Sequence, residues 1–193
     1  MDLTQLLEAI REHGDVAYAF IFAYAAQNSL LAPLFAGYAA HMGALDWGTL
    51  VLLCWAGGFA GDTIRFWVGR RWGTALVRRF PKFERGVDVT LRLVDRHAWW
   101  MIMVHRYPHG IRGLASFAFG MSRLSWGRFL ALDFVSAGIW SLVVVSAGYS
   151  FGHMSEKALG EAASGLGLAL LAAFLGIAWL LSKKLERAIA RGG

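Results

Sequence analysis

The sequence predicts an all-α membrane protein, a helical bundle of two inverted repeats, each a re-entrant hairpin plus a transmembrane helix, with a final C-terminal transmembrane helix. Three observations predict it. The chain of 193 residues is 57% hydrophobic with a mean hydropathy of +0.48 and only 17% charged residues, against roughly 25% in ordinary soluble domains. Five apolar segments, Val16 to Ala40, Trp47 to Val68, Ala98 to Gly120, Phe129 to Tyr149 and Leu166 to Leu181, approach or exceed the roughly 20 residues a helix needs to cross a bilayer. At a constant offset of 79, Leu45, Trp47, Gly48, Leu53, Gly69 and Gly73 fall on Leu124, Trp126, Gly127, Leu132, Gly148 and Gly152.

Residues 1–15 place Leu3, Leu6, Leu7 and Ile10 at helical spacing among Asp2, Glu8, Arg11 and Glu12, the pattern of an amphipathic surface helix. The acidic leader is unlike the basic start of a cleavable signal peptide. Residues 16–73 form the first repeat. Its apolar opening is broken by Gln27-Asn28-Ser29 and Pro33, which predicts a hairpin instead of a plain span.

Residues 74–96 form a basic segment; with Arg70 and Arg71 before them, Arg78, Arg79, Lys82, Arg85, Arg92 and Arg96 outnumber Glu84, Asp88 and Asp95, which places the stretch in the cytoplasm. Residues 97–152 form the second repeat, broken in the same manner around Pro108 and Gly110. A last transmembrane helix is expected at 163–182, and the basic tail 183–193 should also be cytoplasmic. His41 to Asp46 and Ser150 to Glu161, poor in Lys and Arg, should lie outside, so the two repeats cross the membrane in opposite directions. In transporters of that build the substrate site lies near the midplane, where the broken elements meet.

The run His105 to Gly120 sets Arg106, Arg112, Pro108 and three glycines inside a membrane-grade apolar stretch. Arg at the centre of a bilayer helix costs about 2.5 to 3.5 kcal/mol on insertion scales, so such residues face a protein interior or a watery cavity. A bend at Pro108-His109-Gly110 would bring both arginines to one cavity, where their planar donor forks suit a phosphate. Structural pairing with an acid such as Asp62 is the alternative. Asp62 reads equally as a proton carrier or as a counter-ion to Arg65, Arg106 or Arg112. Asp133 reads first as an ion pair with Arg128 one turn away, and second as a proton carrier.

His105 and His109 stand four apart, but Pro108 between them and the lack of a third ligand argue against a metal; His109 reads as polar lining of the hairpin and a candidate substrate contact. Gly57, Gly58 and Gly61 read as close-packing positions, and Trp47, Trp72, Trp99, Trp100 and Trp126 as interfacial anchors. Cys54 is a lone cysteine in an apolar run, with no disulfide, metal cluster or redox motif implied. The net charge of +6 gathers at span ends, which fits topology and anionic lipid instead of nucleic acid.

Gly57 to Asp62 with Phe66-Trp67-Val68-Gly69-Arg70-Arg71-Trp72-Gly73, and Arg106 to Arg112 with Phe119-Gly120-Met121, Phe129, Gly138, Trp140 and Gly148 to Gly152, resemble the two signatures of the DedA family, also called VTT-domain or SNARE-associated membrane proteins. The resemblance implies a lipid translocase of a bacterial cytoplasmic membrane that moves undecaprenyl phosphate or a phospholipid, and dependence on the proton gradient in several bacterial members makes proton coupling an option here. Two departures stand out. No Asp or Glu occurs between Asp15 and Asp46, where many members carry an acid, and Gln27 is the nearest polar stand-in; Ser116 occupies a place that is proline in many members.

The expected function is therefore a flippase, not an enzyme, whose partners are a phosphate-headgroup lipid, the bilayer and protons, with no cofactor. A passive scramblase and a lipid-phosphate phosphatase are the alternatives. The second would need a histidine nucleophile backed by an acid. A homo-oligomer is left open.

Overall fold

The structure, a computed structural model, describes residues 8, 10–27, 29–79, 87–88, 91–92, 94, 99–103, 105–106 and 112–159. The helix expected at 163–182, the tail 183–193, much of the basic segment, Pro108, His109 and Gly110, and the side chain of Arg112 lie outside the described residues. Among the described residues five helices carry the fold: α1 Gly14–Ala26, α2 Leu31–His41, α3 Trp47–Arg79, α4 Arg112–Met121 and α5 Trp126–Leu159. A short helical stretch, 99–103, precedes a turn at His105 and Arg106. No strand occurs among the described residues.

Past Asp15 in its first turn, helix α1 is apolar on every face, so it has no polar side to give to water: Ile21 and Ala25 are buried while Phe20, Phe22 and Tyr24 are exposed. That is the pattern of a helix between protein and lipid. It ends at Gln27, whose N–H donates to the Ala23 carbonyl at 3.2 Å. Pro33 does not make the break that the sequence suggests. It lies in the first turn of α2, three residues past the Leu30 cap, where its missing N–H has no helical partner to lose. The chain breaks earlier, at the polar run that starts with Gln27.

Helices α3 and α5 are longer than the apolar spans within them, 33 and 34 residues. At 1.5 Å per residue each reaches about 50 Å, well beyond a hydrocarbon core of about 30 Å. Helix α3 therefore runs on through the basic residues to Arg79, and α5 runs past Tyr149 through the segment expected as an outer loop. Within α5, Trp126–His153 is long and apolar enough to cross a membrane, its most apolar 18-residue stretch having a mean hydropathy of 1.9. Both helices begin alike. The amide of Leu50 donates to the Asp46 carbonyl at 3.1 Å, and that of Phe129 to the Ser125 carbonyl at 3.0 Å.

Helices α3 and α5 run antiparallel, because contacts that climb α3 descend α5. The Ser141 hydroxyl donates to the Val51 carbonyl at 2.9 Å, the Trp55 ring lies 4.6 Å from that of Phe134, Phe59 meets Phe134 at 5.5 Å, and Phe66 stacks on Phe129 at 4.2 Å. Glycines set the other crossings. A Cβ at Gly37 would strike the Val145 carbonyl and one at Gly148 the Leu34 carbonyl, so α2 and α5 touch backbone to backbone. Gly69 against Phe117 and Gly120 against Phe66 do the same for α3 and α4, and Gly57 and Gly61 against Phe22 and Ala26 for α3 and α1. Small residues allow this approach where lipid supplies no hydrophobic drive between helices. Trp47, Trp72, Trp99, Trp100 and Trp126 are all exposed.

Candidate functional site

Inside this apolar bundle lies a cluster of charge. Asp62 and Asp133 come from α3 and α5, His105 and Arg106 from the turn after 99–103, and Ser116 from α4; the side chains of Asp62, His105, Arg106, Ser116 and Asp133 are all buried. The turn forms as the His105 amide closes on the Met101 carbonyl at 2.9 Å. It presents Arg106 across α3 at Gly58, where a Cβ would stand 2.9 Å from the guanidinium Nη1. Gly58 is therefore a site residue as well as a packing one, because a larger residue would displace the arginine.

One guanidinium nitrogen joins both acids. Arg106 Nη2 lies 2.5 Å from Asp62 Oδ2 and 2.9 Å from Asp133 Oδ1. Asp62 is richly supported: the Ser116 hydroxyl donates to it at 2.7 Å, Arg65 Nη1 at 2.9 Å, and His105 Nε2 stands 3.3 Å away. Asp133 is poorly supported. Its Oδ2 is buried and makes no hydrogen bond among the described residues. His105 is fixed by its Nδ1, 2.8 Å from the Ile102 carbonyl, and by its ring set edge-on to Phe119 at 5.4 Å.

The structure thus brings together Asp62, Asp133 and Arg106 of the residues singled out from sequence. The favoured pairing of Asp133 with Arg128 is overturned: Asp133 faces inward to Arg106, while Arg128 is exposed. The register explains it, since Phe129 and Asp133, four apart on one face of α5, are both buried and Arg128 points away. Gln27 lies at the C-terminus of α1, exposed and outside the cluster. Its neighbour Ala26 gives a carbonyl to Arg65 at 2.5 Å.

The reading of Asp62 as a counter-ion to Arg65 and Arg106 matches the ion pairs seen, whereas sequence reasoning passed over Ser116 and did not join His105 to Asp62. Ser116 carried a signal: it departs from the resemblance, in an apolar stretch where a hydroxyl needs a partner.

Low polarity makes each of these contacts strong and makes the loss of any partner costly. Asp62, His105 and Asp133 each offer a ligand atom within 4.8 Å of the others, a set that would suit a cation. Arg106 already bridges the two carboxylates there. The Arg106 guanidinium is occupied by the two carboxylates. Elsewhere, Arg70 donates to the Ser122 carbonyl at 2.7 Å and to that of Leu124, and lies 5.1 Å over the Phe66 ring. It fastens the end of α4 to α3 and is structural.

Comparison with known proteins finds membrane proteins over most of the chain. The VTT domain family matches residues 28–150. Inner membrane protein YohD of Escherichia coli is 31% identical over 154 residues, 80% of this chain and 77% of that protein. Protein DedA of Escherichia coli is 26% identical over 162 residues, covering 76% and 74%, and the uncharacterized membrane protein YkoX of Bacillus subtilis is 28% identical over 160 residues, covering 79% and 71%. No solved structure matches this chain.

Proposed function

We propose that this chain, which belongs to the VTT-domain family of membrane proteins, also known as the DedA family, is a translocase for a lipid with a phosphate headgroup. Undecaprenyl phosphate or a phospholipid of a bacterial cytoplasmic membrane is its substrate. One observation carries the reading: Arg106 is wholly buried among apolar helices and held by exchangeable carboxylates. A purely structural bundle gains nothing from that arrangement, because well-packed apolar residues of similar volume serve as well or better than a buried ion pair. An anionic headgroup, by contrast, can take over the guanidinium fork while its tail stays in lipid.

The carrier architecture we propose is the inverted repeat, and the packing supports it in detail. Helix starts Trp47 and Trp126 stand at the offset of 79 found in the sequence. So do Gly69 and Gly148, each against a carbonyl of a short helix, and so do Phe66 and Val145, whose carbonyls face Gly120 and Gly37. Gly57 faces the Phe22 carbonyl, and its counterpart Ser136 donates to the Met103 carbonyl at 3.3 Å. Trp55 and Phe134, also 79 apart, touch each other, the Trp55 indole donating to the Phe134 carbonyl at 2.8 Å. Equivalent residues meet in this way at a two-fold axis.

On this reading the two halves rock about that axis to expose Arg106 to either side. We assign those ends to the cytoplasm from Arg70, Arg71, Arg78 and Arg79 at the end of α3 with Arg123 and Arg128 at the start of α5, and the C-terminus from Lys183, Lys184, Arg187 and Arg191 of the tail.

We keep the reaction non-enzymatic. A phosphatase would use a histidine nucleophile, but His105 has both ring nitrogens engaged, Nδ1 2.8 Å from the Ile102 carbonyl and Nε2 3.3 Å from the Asp62 carboxylate, which leaves neither nitrogen turned to an incoming phosphate. The test uses proteoliposomes holding undecaprenyl phosphate or a fluorescent phospholipid, with wild type, Arg106→Ala and Arg112→Ala at matched reconstitution. Movement by the wild type that both variants lose is expected, and the lipid that moves names the substrate. Movement of neither lipid would remove the reading, and equal movement by Arg106→Ala would remove Arg106 from it.

A further inference from the structure

We infer that Arg65 receives the phosphate headgroup from the cytoplasmic leaflet before Arg106 does, so that the site has an outer and an inner guanidinium on one carboxylate. The inference rests on the phosphate reading above and adds an entry station to it. Asp62 divides its two oxygens between the two arginines. Oδ1 accepts from Arg65 Nη1 at 2.9 Å and from the Ser116 hydroxyl at 2.7 Å, while Oδ2 lies 2.5 Å from Arg106 Nη2. The Arg106 side chain is sealed, whereas that of Arg65 keeps 23% of its surface open. Of these two cations, Arg65 is the one an arriving anion can touch.

Its place along α3 puts that opening within reach of a headgroup. Arg65 stands about 10 Å along the helix axis from Trp72, which is exposed in the manner of an interfacial ring. On the orientation assigned above, that interface belongs to the cytoplasmic leaflet. The neighbours Ile64 and Trp67 are 61% and 50% exposed, an apolar strip for lipid tails. A lipid lying along it brings its phosphate beside Arg65 with its tails still in the bilayer. An arginine so placed can snorkel to the surface. This one turns inward: Nη2 donates to the carbonyl of Ala26, the last residue of α1, at 2.5 Å.

The two bonds of Arg65 differ in what holds them, since Nη1 meets a carboxylate and Nη2 an uncharged carbonyl. An ionised phosphate oxygen is a stronger acceptor for a guanidinium than a carbonyl is. The headgroup therefore displaces Ala26 while the bond to Asp62 stays, and no carboxylate is stripped at this step. Gly61 lets the end of α1 press on α3 there, so α1 stays seated when Arg65 releases the carbonyl. At Arg106 both acceptors are carboxylates, and an anion enters only as one of them gives way. Because both guanidinium groups touch Asp62, the step from Arg65 to Arg106 is short.

The other role open to Arg65 is a cap on the end of α1, and kinetics separate the two. Purified full-length protein is placed in proteoliposomes of phosphatidylcholine, whose headgroup has no net charge, with a fluorescent phosphatidylglycerol at graded mole fraction. Initial transbilayer movement is measured for wild type, Arg65→Gln and Arg65→Lys at matched reconstitution. Glutamine keeps a donor for the Ala26 carbonyl and loses the charge; lysine keeps the charge and loses the fork. The half-saturating fraction should rise about tenfold in Arg65→Gln and about threefold in Arg65→Lys, with maximal rates within about twofold of wild type. A cap alone would lower the unfolding temperature or the maximal rate and leave the half-saturating fraction where it was, which overturns the inference. If Arg65→Gln does not fold, Arg65→Lys decides: a raised fraction at full maximal rate supports the station, and an unchanged one overturns it. Inorganic phosphate should not compete, because it lacks the tails that Ile64 and Trp67 meet; competition by it would give Arg65 to the free ion and overturn the lipid assignment. A wild type that moves neither this lipid nor undecaprenyl phosphate removes the phosphate reading itself, whereas movement with an unaltered half-saturating fraction in both variants removes the entry station alone.

Discussion

The two halves of the bundle use the same backbone contacts and opposite chemistry. Where α3 meets α4, Gly69 and Gly120 let the chains touch, and beside them lie Asp62, His105, Arg106 and Ser116. Where α2 meets α5, Gly37 and Gly148 make the matching contacts, and beside them lie Ile21, Ala25, Leu50, Cys54 and Val145, an apolar core. At the offset of 79, Asp133 answers to Cys54 and Asp62 to Ser141. The difference teaches that close glycine packing builds the scaffold in both halves, while among the described residues buried charge has been placed beside one crossing only. A bundle that needed buried ions to fold would show them twice.

The largest effect that sharpens this contrast comes from Arg106→Ala. It strands Asp133 without a partner and removes one of the cations that hold Asp62. A loss of about 3 to 5 kcal/mol is expected, as for other broken buried pairs, together with loss of lipid movement. Thermal unfolding in detergent measures the first and proteoliposome transport the second. Adding Asp133→Asn should restore part of the stability and none of the transport. Recovery of transport would place the function outside the cluster.

Next come the glycines, which should break the comparison if the halves are not built alike. Gly37→Ala and Gly120→Ala each push a Cβ into a facing carbonyl, of Val145 and Phe66. Each should cost about 1 to 3 kcal/mol as overpacking does, and the two values should agree within the scatter of such measurements. A large cost at one and none at the other would show that the two crossings are not equivalent. A smaller effect belongs to Ser141→Ala, which removes the hydroxyl bond to the Val51 carbonyl. About 1 kcal/mol is expected, with lipid movement per folded molecule unchanged, since Ser141 lies apart from the charged cluster. Loss of movement without loss of stability would bring the apolar half into the mechanism.

Much of this was legible before the fold was known, and the reasons are physical. Arg106 and Asp62 stood out because a charge in an apolar run needs an explanation wherever it folds. The pairing of Trp47 with Trp126 was legible because tryptophan is rare, and both do begin the long helices. What stayed hidden depended on which face of a helix a residue takes. Asp133 has Arg128 near it in sequence and Arg106 near it in space. Gly58 looks like its neighbours Gly57 and Gly61, which face α1, yet it faces the guanidinium. Pro33 looked like a break because its place in the first turn of a helix cannot be told from sequence without the helix boundary. His105 and Ser116 have no partner within a helical turn that marks them, and only the crossing of α3 with α4 joins them to Asp62.

The smallest effect separates the two helix starts. Asp46 caps α3 by accepting from both the Thr49 amide, at 2.7 Å, and the Thr49 hydroxyl, at 2.6 Å. The hydroxyl first, and the amide after it, hold the Asp46 carboxyl below the usual aspartate range. A group with a depressed value in the folded chain stabilises above its unfolded value, and that contribution is lost as the pH falls through the folded one. At the matching position α5 has Ser125, which does not titrate. Asp46→Ser should therefore keep a cap, by the preference of serine for that place, and remove the acid-side slope in unfolding temperature that the wild type shows below the ordinary aspartate value. Asp46→Ala should lose both the cap and the slope, with a lower unfolding temperature at neutral pH. A slope that persists in Asp46→Ser would assign the acid sensitivity to other carboxylates and leave the two helix starts alike in kind.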